Sequence, residues 1–263
     1  MSYETIILKK ENGIATITLN RPDKRNAVNF KMLEELVDVT SDVGRDPTVK
    51  VVIITGAGKA FMAGGDINEL ISATTGIDPL EMRNSVQRAG QIALNLRGMA
   101  KPVIAAVNGP AVGGGCSLAL TCDIILASEN ARFSASFVNV GLHPDGGLIY
   151  FLPRLVGMAK ACEMVFTGRV LDAPEAERVG LVNRVVPAEL LDSTTKELAL
   201  SLAQGPSVAI GLAKMSLHRG LAMDLASALE VEATAQIICS LTEDIQEGIR
   251  AFREKRKPIF KGK

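Results

Sequence analysis

The chain has few of the side chains that proteins use to bind nucleic acid. It contains no tryptophan among its 263 residues, and aromatic residues make up only 4%. Single-strand binders stack bases on aromatic rings, and duplex binders need a basic excess to displace counterions. Here 29 Lys and Arg balance 29 Asp and Glu, so the net charge is zero. We therefore expect no nucleic-acid partner.

Histidine and cysteine are also scarce. The two histidines, His143 and His218, lie far apart in the sequence, which excludes a histidine-rich metal site. A Ser-His-Asp triad would have to use one of these two. None of the four cysteines forms a Cys-x-x-Cys pair, which disfavours structural zinc and a disulfide framework. We expect no metal and four reduced thiols.

Long apolar runs are missing as well. The most apolar stretch, residues 102–120, is interrupted by Asn108 and four glycines, whereas a membrane helix needs about 18 uninterrupted apolar residues. Residues 1–5 lack the basic and then apolar segments of a secretory signal. The sequence thus predicts a cytoplasmic protein without a membrane partner.

Predicted strands alternate with predicted helices through the first half of the chain, and the pattern is mostly helical from Gly146 onward. Period-2 runs and continuous β-branched runs indicate strands, and apolar residues at helical spacing indicate helices. Such alternation predicts an α/β fold with a helical C-terminal region. The expected strands cover residues 5–8, 14–19, 51–54, 103–107, 123–127 and 131–133, and the expected helices 30–43, 79–96 and 114–121.

The glycine-rich loops after two of these strands match no nucleotide motif. Phe61 stands where a dinucleotide fingerprint needs its last glycine, and Ala60 follows Gly58-Lys59 where a P-loop needs Ser or Thr. Residues 115–119 differ from the nucleophile elbow Gly-x-Ser-x-Gly only at the last position. Ser117 is therefore either a hydrolase nucleophile or, as we favour, a small residue in the first turn of a helix.

The same two loops suit a different role. Residues 61–66 and 110–115 each bring glycine backbone to the point where a helix begins. Glycine allows a carbonyl-bearing ligand to approach the chain closely. Free N–H groups at a helix N-terminus favour negative charge. One N–H from each loop could together hold an oxyanion.

These loops resemble the two signature stretches of the crotonase (enoyl-CoA hydratase/isomerase) superfamily. The resemblance implies a crotonase-like spiral of ββα turns over residues 1–200 and a helical trimerisation region over residues 201–263. It also implies an acyl-CoA substrate, as in fatty acid or aromatic acid degradation, and a homotrimer or dimer of trimers. It implies no cofactor beyond the coenzyme A of the substrate. The matching segments are residues 19–22, 59–67, 104–116, 122–124, 152–157, 168–169, 176–186 and 251–257.

The resemblance also implies roles for individual residues. It places the oxyanion hole on the N–H groups of Gly65 and Gly114. It implies that Phe252 and Lys255, from a neighbouring subunit, complete the adenine and phosphate pocket of coenzyme A, although residues 255–263 could equally form a solvated basic tail. Asp66 could instead cap the next helix, which we favour. The other residues expected to contact coenzyme A are Arg25, Ala27, Ala63, Asp66 and Ile67, and those expected in the acyl pocket are Met82, Phe137 and Leu142.

The chain departs from the hydratases of this family at both of their acidic positions. Typical members use two glutamates to activate water and protonate the substrate. Ser117 and Phe137 stand at the corresponding positions of this sequence. Neither side chain is a carboxylate, so the usual hydration mechanism is in doubt.

One carboxylate remains in the right neighbourhood. Asp145 resembles the Asp of the Gly-x-x-Pro-Asp element in one isomerase branch, where it moves a proton between Cα and Cγ. Its apolar neighbours predict a raised pKa, which suits a general base that then acts as an acid. Asp145 could also cap a helix beginning at Gly146. We expect His143 to shape the pocket and His218 to be structural.

Four functions stay open at this point. We favour double-bond isomerisation of an enoyl-CoA with Asp145 as the proton shuttle. An enoyl-CoA hydratase, for a linear, cyclic or dienoyl substrate, would use Asp145 to organise water. A thioester or C–C hydrolase would use Asp145 or Ser117 to activate water. A non-catalytic acyl-CoA-binding paralogue would use neither residue for chemistry.

Overall fold

Two sheets form the centre of the molecule. The computed structural model describes residues 3–66, 69 and 79–263. The larger sheet has the order β1-β2-β3-β4-β6-β9, and the smaller has the order β5-β7-β8. The strands are β1 (Ile6–Glu11), β2 (Ile14–Leu19), β3 (Val51–Gly56), β4 (Val103–Val107), β5 (Pro110–Val112), β6 (Ile124–Ser128), β7 (Arg132–Ser134), β8 (Val170–Asp172) and β9 (Arg184–Val186).

The first two predicted strands are confirmed as an antiparallel hairpin, and the first of them is longer than expected. β1 and β2 pair antiparallel around Asn12 and Gly13, both of which have positive φ. Residues 9–11 are polar, so hydropathy did not mark them as strand. They join the sheet because the tight turn places them opposite Ile14, Ala15 and Thr16. From β2 onward, each neighbouring pair of the larger sheet is parallel.

The helices cover the sheets and extend beyond them. α1 is amphipathic: Met32, Leu36 and Val39 are buried, and the Asn29 side chain accepts the Met32 N–H at its first turn. The expected α/β fold with a helical C-terminal region is confirmed. The helices are α1 (Phe30–Arg45), α2 (Pro79–Gly98), α3 (Gly114–Thr121), α4 (Leu148–Val156), α5 (Met158–Thr167), α6 (Ala173–Arg178), α7 (Leu191–Ala203), α8 (Ser207–Gly220), α9 (Leu225–Ser240) and α10 (Glu243–Glu254), with short 3-10 turns at Pro22–Lys24, Ser136–Val140 and Ala188–Leu190.

The carboxyl ends of β3 and β4 are tied together at one edge of the larger sheet. Asn108 follows β4, and its side-chain amide donates to the carbonyl oxygens of Gly56 (2.9 Å) and Gly58 (3.0 Å). Both glycine-rich loops begin at this edge, so they lie side by side.

The C-terminal part of the chain divides between the sheet and the surface. Leu191, Ala199 and Ala203 of α7 are buried against the larger sheet, so residue 200 lies in a helix that belongs to the core. α9 has no buried residue. The division of the chain at residue 200 and the trimerisation role of residues 201–263 stay predictions.

Within the described residues, no single helix has the length and apolar character of a membrane span. One pair of helices, Ala188–Ala203 and Ser207–Gly220, meets these criteria together but is bent by 106°.

Two glycines in helices provide a matched test of this packing. A Cβ on Gly115 of α3 would overlap the Met62 carbonyl oxygen, whereas a Cβ on Gly90 of α2 would meet no atom within 4 Å. We expect Gly115→Ala to lower the free energy of unfolding by about 3 kcal/mol, because neither backbone can yield freely. Gly90→Ala should raise it by about 0.5–1 kcal/mol through helix propensity. Chemical denaturation measures both changes, and an unaltered Gly115→Ala protein would contradict the close approach of α3 to the Met62 loop.

Candidate active site

A cavity of about 380 Å³ lies between α1, α2, α3 and the segment 136–146. Each helix presents one face to it, because the lining residues recur every three or four positions. Most of the lining is apolar, which suits an acyl chain. The helical lining residues are Phe30, Leu33 and Leu36 of α1, Met82, Ser85, Val86, Ala89, Ile92 and Ala93 of α2, and Gly114, Ser117, Leu118 and Thr121 of α3.

Backbone hydrogen bonds hold the two glycine loops side by side at the wall of this cavity. The Met62 N–H donates to the Pro110 carbonyl (3.0 Å), and the Val112 N–H donates to the Met62 carbonyl (2.9 Å). Gly64 and Gly113 have φ values of +98° and +53°, a region that favours glycine. The loops therefore converge at the positions that the sequence predicted.

Two N–H groups in these loops are available to a ligand. One neighbouring N–H group of each is used: Asp66 donates to the Val28 carbonyl and Gly113 donates to the Ser134 carbonyl, each at 2.9 Å. Neither the Gly65 N–H nor the Gly114 N–H donates a hydrogen bond to any other described residue. Both glycines line the cavity, and Gly114 is the first residue of α3. This pair of donors suits a developing oxyanion.

Asp145 lines the same cavity. Its carboxylate makes no hydrogen bond to another described residue, and burial raises its pKa above the ordinary value, an effect that nearby His143 only partly opposes. Its backbone carbonyl, in contrast, accepts the Ser117 hydroxyl (2.9 Å) and the Leu148 N–H (3.1 Å). The main chain is therefore held while the carboxylate stays available, and the pKa shifts in the direction expected from its apolar neighbours.

The alternative interpretation of Asp145 as a helix cap is wrong. The next helix begins at Leu148 rather than at Gly146, and its N-cap is Gly147, without a side-chain hydrogen bond. Gly146 and Gly147 both have positive φ, +60° and +88°, which delays the helix by two residues. The Asp145 carbonyl, not its carboxylate, accepts the first helical N–H.

Ser117 and Phe137, which the resemblance implies stand at the acidic positions of the hydratases, both line the cavity. Ser117 is 2% exposed, and within the described part of the chain neither histidine hydrogen-bonds it. Its hydroxyl donates to the Asp145 carbonyl instead, so the nucleophile interpretation gains no support. Phe137 is 7% exposed and is one of the apolar side chains that line the cavity.

Two further carboxylates line the cavity, and both have partners. Asp66 pairs with Arg21 at 2.8 Å, and the helix that it was expected to cap lies outside the described residues. Glu69 accepts the Phe30 N–H at 2.8 Å. The sequence analysis missed Glu69, because its partner is 39 positions away and no local motif marks it.

The residues expected to contact coenzyme A fall into two groups. The segment containing Arg25 and Ala27 lies beside the Gly65 loop, since the Ala63 N–H donates to the Arg25 carbonyl at 3.1 Å. Phe252 and Lys255 are exposed at the end of α10 and do not line the cavity of their own chain. Leu142 and Met82 line the cavity as expected, and Ile67 lies outside the described residues.

The remaining histidine and the buried cysteines are structural. His218 hydrogen-bonds Asp123 through Nε2 at 2.8 Å, far from the loops of the site, as expected. Burial raises the pKa of the Cys116 and Cys122 thiols to about 12, so both stay protonated. No cluster of three or more metal-ligating side chains occurs among the residues that the structure describes.

The chain is similar to known proteins along its whole length. Residues 9–263 match the family model described as enoyl-CoA hydratase/isomerase. A short-chain-enoyl-CoA hydratase from Clostridium acetobutylicum is 42% identical over 98% of this chain and 97% of its own. A 1,2-epoxyphenylacetyl-CoA isomerase from Escherichia coli is 38% identical over 99% of both chains. The crystal structure of a putative enoyl-CoA hydratase from Streptomyces coelicolor superimposes with a TM-score of 0.96 at 36% identity, covering 100% of this chain and 96% of that one. The chain therefore belongs to the enoyl-CoA hydratase/isomerase family.

Proposed function

We propose that the protein isomerises an enoyl-CoA by moving its double bond between the β,γ and α,β positions. The observation that carries this proposal is the carboxylate of Asp145, which, unlike those of Asp66 and Glu69, makes no hydrogen bond to another described residue. It faces an apolar cavity, has a raised pKa, and is accompanied by a serine and a phenylalanine where hydratases have glutamates. Isomerisation needs only one such group, because the proton removed from one carbon is returned to another.

The site residues divide this chemistry between backbone and side chain. Asp145, when ionised, takes a proton from Cα of the 3-enoyl thioester, and the electron pair moves into the thioester carbonyl. The Gly65 and Gly114 N–H groups stabilise the resulting dienolate oxygen. Protonated Asp145 then delivers the proton to Cγ, which gives the conjugated 2-enoyl thioester and restores the carboxylate.

Hydration is the second candidate. A relative 42% identical to this chain is named a short-chain-enoyl-CoA hydratase, and the cavity has room for a water beside Asp145. In that mechanism Asp145 would orient and deprotonate the water. Ser117 could contribute little as a base, since its hydroxyl already donates to the Asp145 carbonyl.

Separate assays with 3-enoyl-CoA and 2-enoyl-CoA distinguish the candidates. We expect conjugation of the 3-enoyl thioester without net water addition. In D₂O, part of the transferred hydrogen should remain protium, because one buried carboxylate carries it. Asp145→Asn should lower kcat by about 100-fold or more, the usual contribution of a general acid–base. Asp192→Asn, which changes an exposed carboxylate on α7, is the matched control and should leave kcat unchanged.

Each competing function has its own outcome in these assays. Formation of 3-hydroxyacyl-CoA from the 2-enoyl thioester would favour the hydratase, and release of free coenzyme A would favour the hydrolase. Tight binding without turnover would indicate a binding paralogue. Full activity of Asp145→Asn would contradict the single-carboxylate mechanism.

The raised pKa of Asp145 predicts opposite effects of pH on activity and stability. As a base, Asp145 must be ionised, so kcat/KM should fall on acidification. The midpoint of this fall should lie above about pH 4, the ordinary pKa of Asp. The unfolded chain releases this proton more readily than the folded chain, so the free energy of unfolding decreases as pH rises through the folded-state pKa. Asp145→Asn should therefore have the higher Tm at pH 7, with the difference vanishing near about pH 4. If wild type and Asp145→Asn had equal melting curves at both pH values, that result would contradict the unfavourable burial of this charge.

We also propose that the protein assembles as a homotrimer or dimer of trimers. Leu225, Leu229 and Ile237 of α9 are 75%, 52% and 63% exposed in the single chain, an apolar surface that a second copy would cover. Sedimentation equilibrium should give three or six times 27.9 kDa. Ile237→Glu should dissociate the assembly by placing a charge in the interface, and a wild-type mass of one chain would contradict assembly.

A further inference from the structure

Arg97, near the end of α2, closes the carboxyl end of α3. Its Nη2 donates to the carbonyl oxygens of Leu120 (2.7 Å) and Cys122 (3.1 Å). The last carbonyls of a helix have no partner within the helix, and a cation there complements the negative end of the helix dipole. The opposite end of α3 begins at Gly114, whose N–H faces the cavity. Arg97 therefore binds the far end of the helix that presents one oxyanion donor.

The same guanidinium contacts the helix that follows Asp145. Its Cζ atom lies 4.4 Å from the centre of the Phe151 ring of α4, a favourable cation–π distance. α3 and α4 are also linked through Asp145, whose carbonyl accepts both the Ser117 hydroxyl and the Leu148 N–H. The two helices are thus connected both by Asp145 and by Arg97.

Charged neighbours hold Arg97 in this place. Its Nη1 lies 3.7 Å from Asp123 Oδ1 and 3.1 Å from His218 Nδ1. Asp123 also accepts from His218 (2.8 Å) and from Lys214 (2.8 Å) of α8. Asp123 Oδ2 further accepts the Val103 N–H at 2.8 Å. The C-terminal helical region is thereby joined to the same cluster through α8.

We propose that Arg97 is a positioning residue of the active site. By holding the carboxyl end of α3 and the Phe151 ring in the first turn of α4, it sets the distance between the Gly114 N–H and the Asp145 carboxylate across the substrate. α3 has eight residues and is about 12 Å long, so it moves as one short rod. A displacement of about 1 Å at the reacting groups can lower a rate by about 100-fold. This inference rests on the proposed role of the two N–H groups and Asp145.

Arg97→Met tests this role, with Arg88→Met as the matched control. Both residues lie on α2, but Arg88 only pairs with exposed Glu34 at 3.5 Å and does not line the cavity. We expect Arg97→Met to lower kcat by about 10- to 100-fold while KM changes less than about threefold, because alignment rather than ground-state binding is lost. Arg88→Met should retain the wild-type kcat and KM. Arg97→Lys keeps the charge but lacks the planar guanidinium with its several donors, so its kcat should lie between those of Arg97→Met and Arg88→Met. If Arg97→Met does not fold, Arg97→Lys carries the test.

The carbonyl stretching band of a bound, isotope-labelled acyl-CoA thioester reports the oxyanion hole directly, without turnover. In wild type and Arg88→Met this band should shift to lower frequency on binding, and in folded Arg97→Met or Arg97→Lys the shift should be smaller. A wild-type shift that is fully kept in the Arg97 variants, with kcat unchanged, would overturn the positioning role alone. A wild-type protein that leaves the carbonyl unpolarised would overturn the proposed function, and the positioning role with it. Loss of stability without loss of kcat per folded molecule would reduce Arg97 to a structural residue.

Discussion

The hydrogen bonds between the Met62 loop and the Pro110–Val112 strand position every other part of the site. They place two glycine loops from different strand–helix units side by side, so that one free N–H from each faces the same cavity. Glycine is required at Gly115, where a Cβ would overlap the Met62 carbonyl oxygen, and it is favoured at Gly64 and Gly113, which adopt positive φ. Neither loop alone could hold an oxyanion with two donors.

The main chain of Asp145 is fixed by hydrogen bonds, and its carboxylate remains available for the general-base role that we propose. Ser117 and Leu148 bind the Asp145 carbonyl, so the side chain is directed into the cavity without a partner of its own. A carboxylate buried in this way is destabilised as an ion, and that destabilisation makes it a stronger base toward a weakly acidic carbon. Asp66 and Glu69 line the same cavity but are held by Arg21 and by the Phe30 N–H. The difference between these three acidic residues is therefore one of hydrogen bonding, not of residue type.

Two sets of contacts connect the helices of the site, α3 and α4, to each other and to α8. α3 and α4 are connected through Asp145 and through Arg97, and Asp123 connects Arg97 to Lys214 and His218 of α8. His218, which the sequence analysis expected to be structural, thus contributes to the packing of the C-terminal helices. Buried ionic groups of this kind contribute little net stability, but they fix geometry because they tolerate few alternative arrangements.

Local patterns in the sequence predicted six of the strands, the three helices before Gly146 and both glycine loops, because period, β-branching and glycine spacing are properties of neighbouring residues. They did not predict the short strands β5, β8 and β9. The resemblance to the crotonase superfamily pointed to Asp145, and it implied that Ser117 and Phe137 stand where hydratases carry glutamates. Sequence could not distinguish a cap from a base at Asp145, since that depends on whether Gly146 and Gly147 continue the helix or turn away from it. Nor could it find Glu69 or Arg97, whose partners lie 39 and 23 or more positions away. Those contacts exist only once the strands have brought distant helices together. The tertiary structure alone therefore decided that Asp66 and Glu69 have partners in the cavity, while the Asp145 carboxylate makes no hydrogen bond to another described residue.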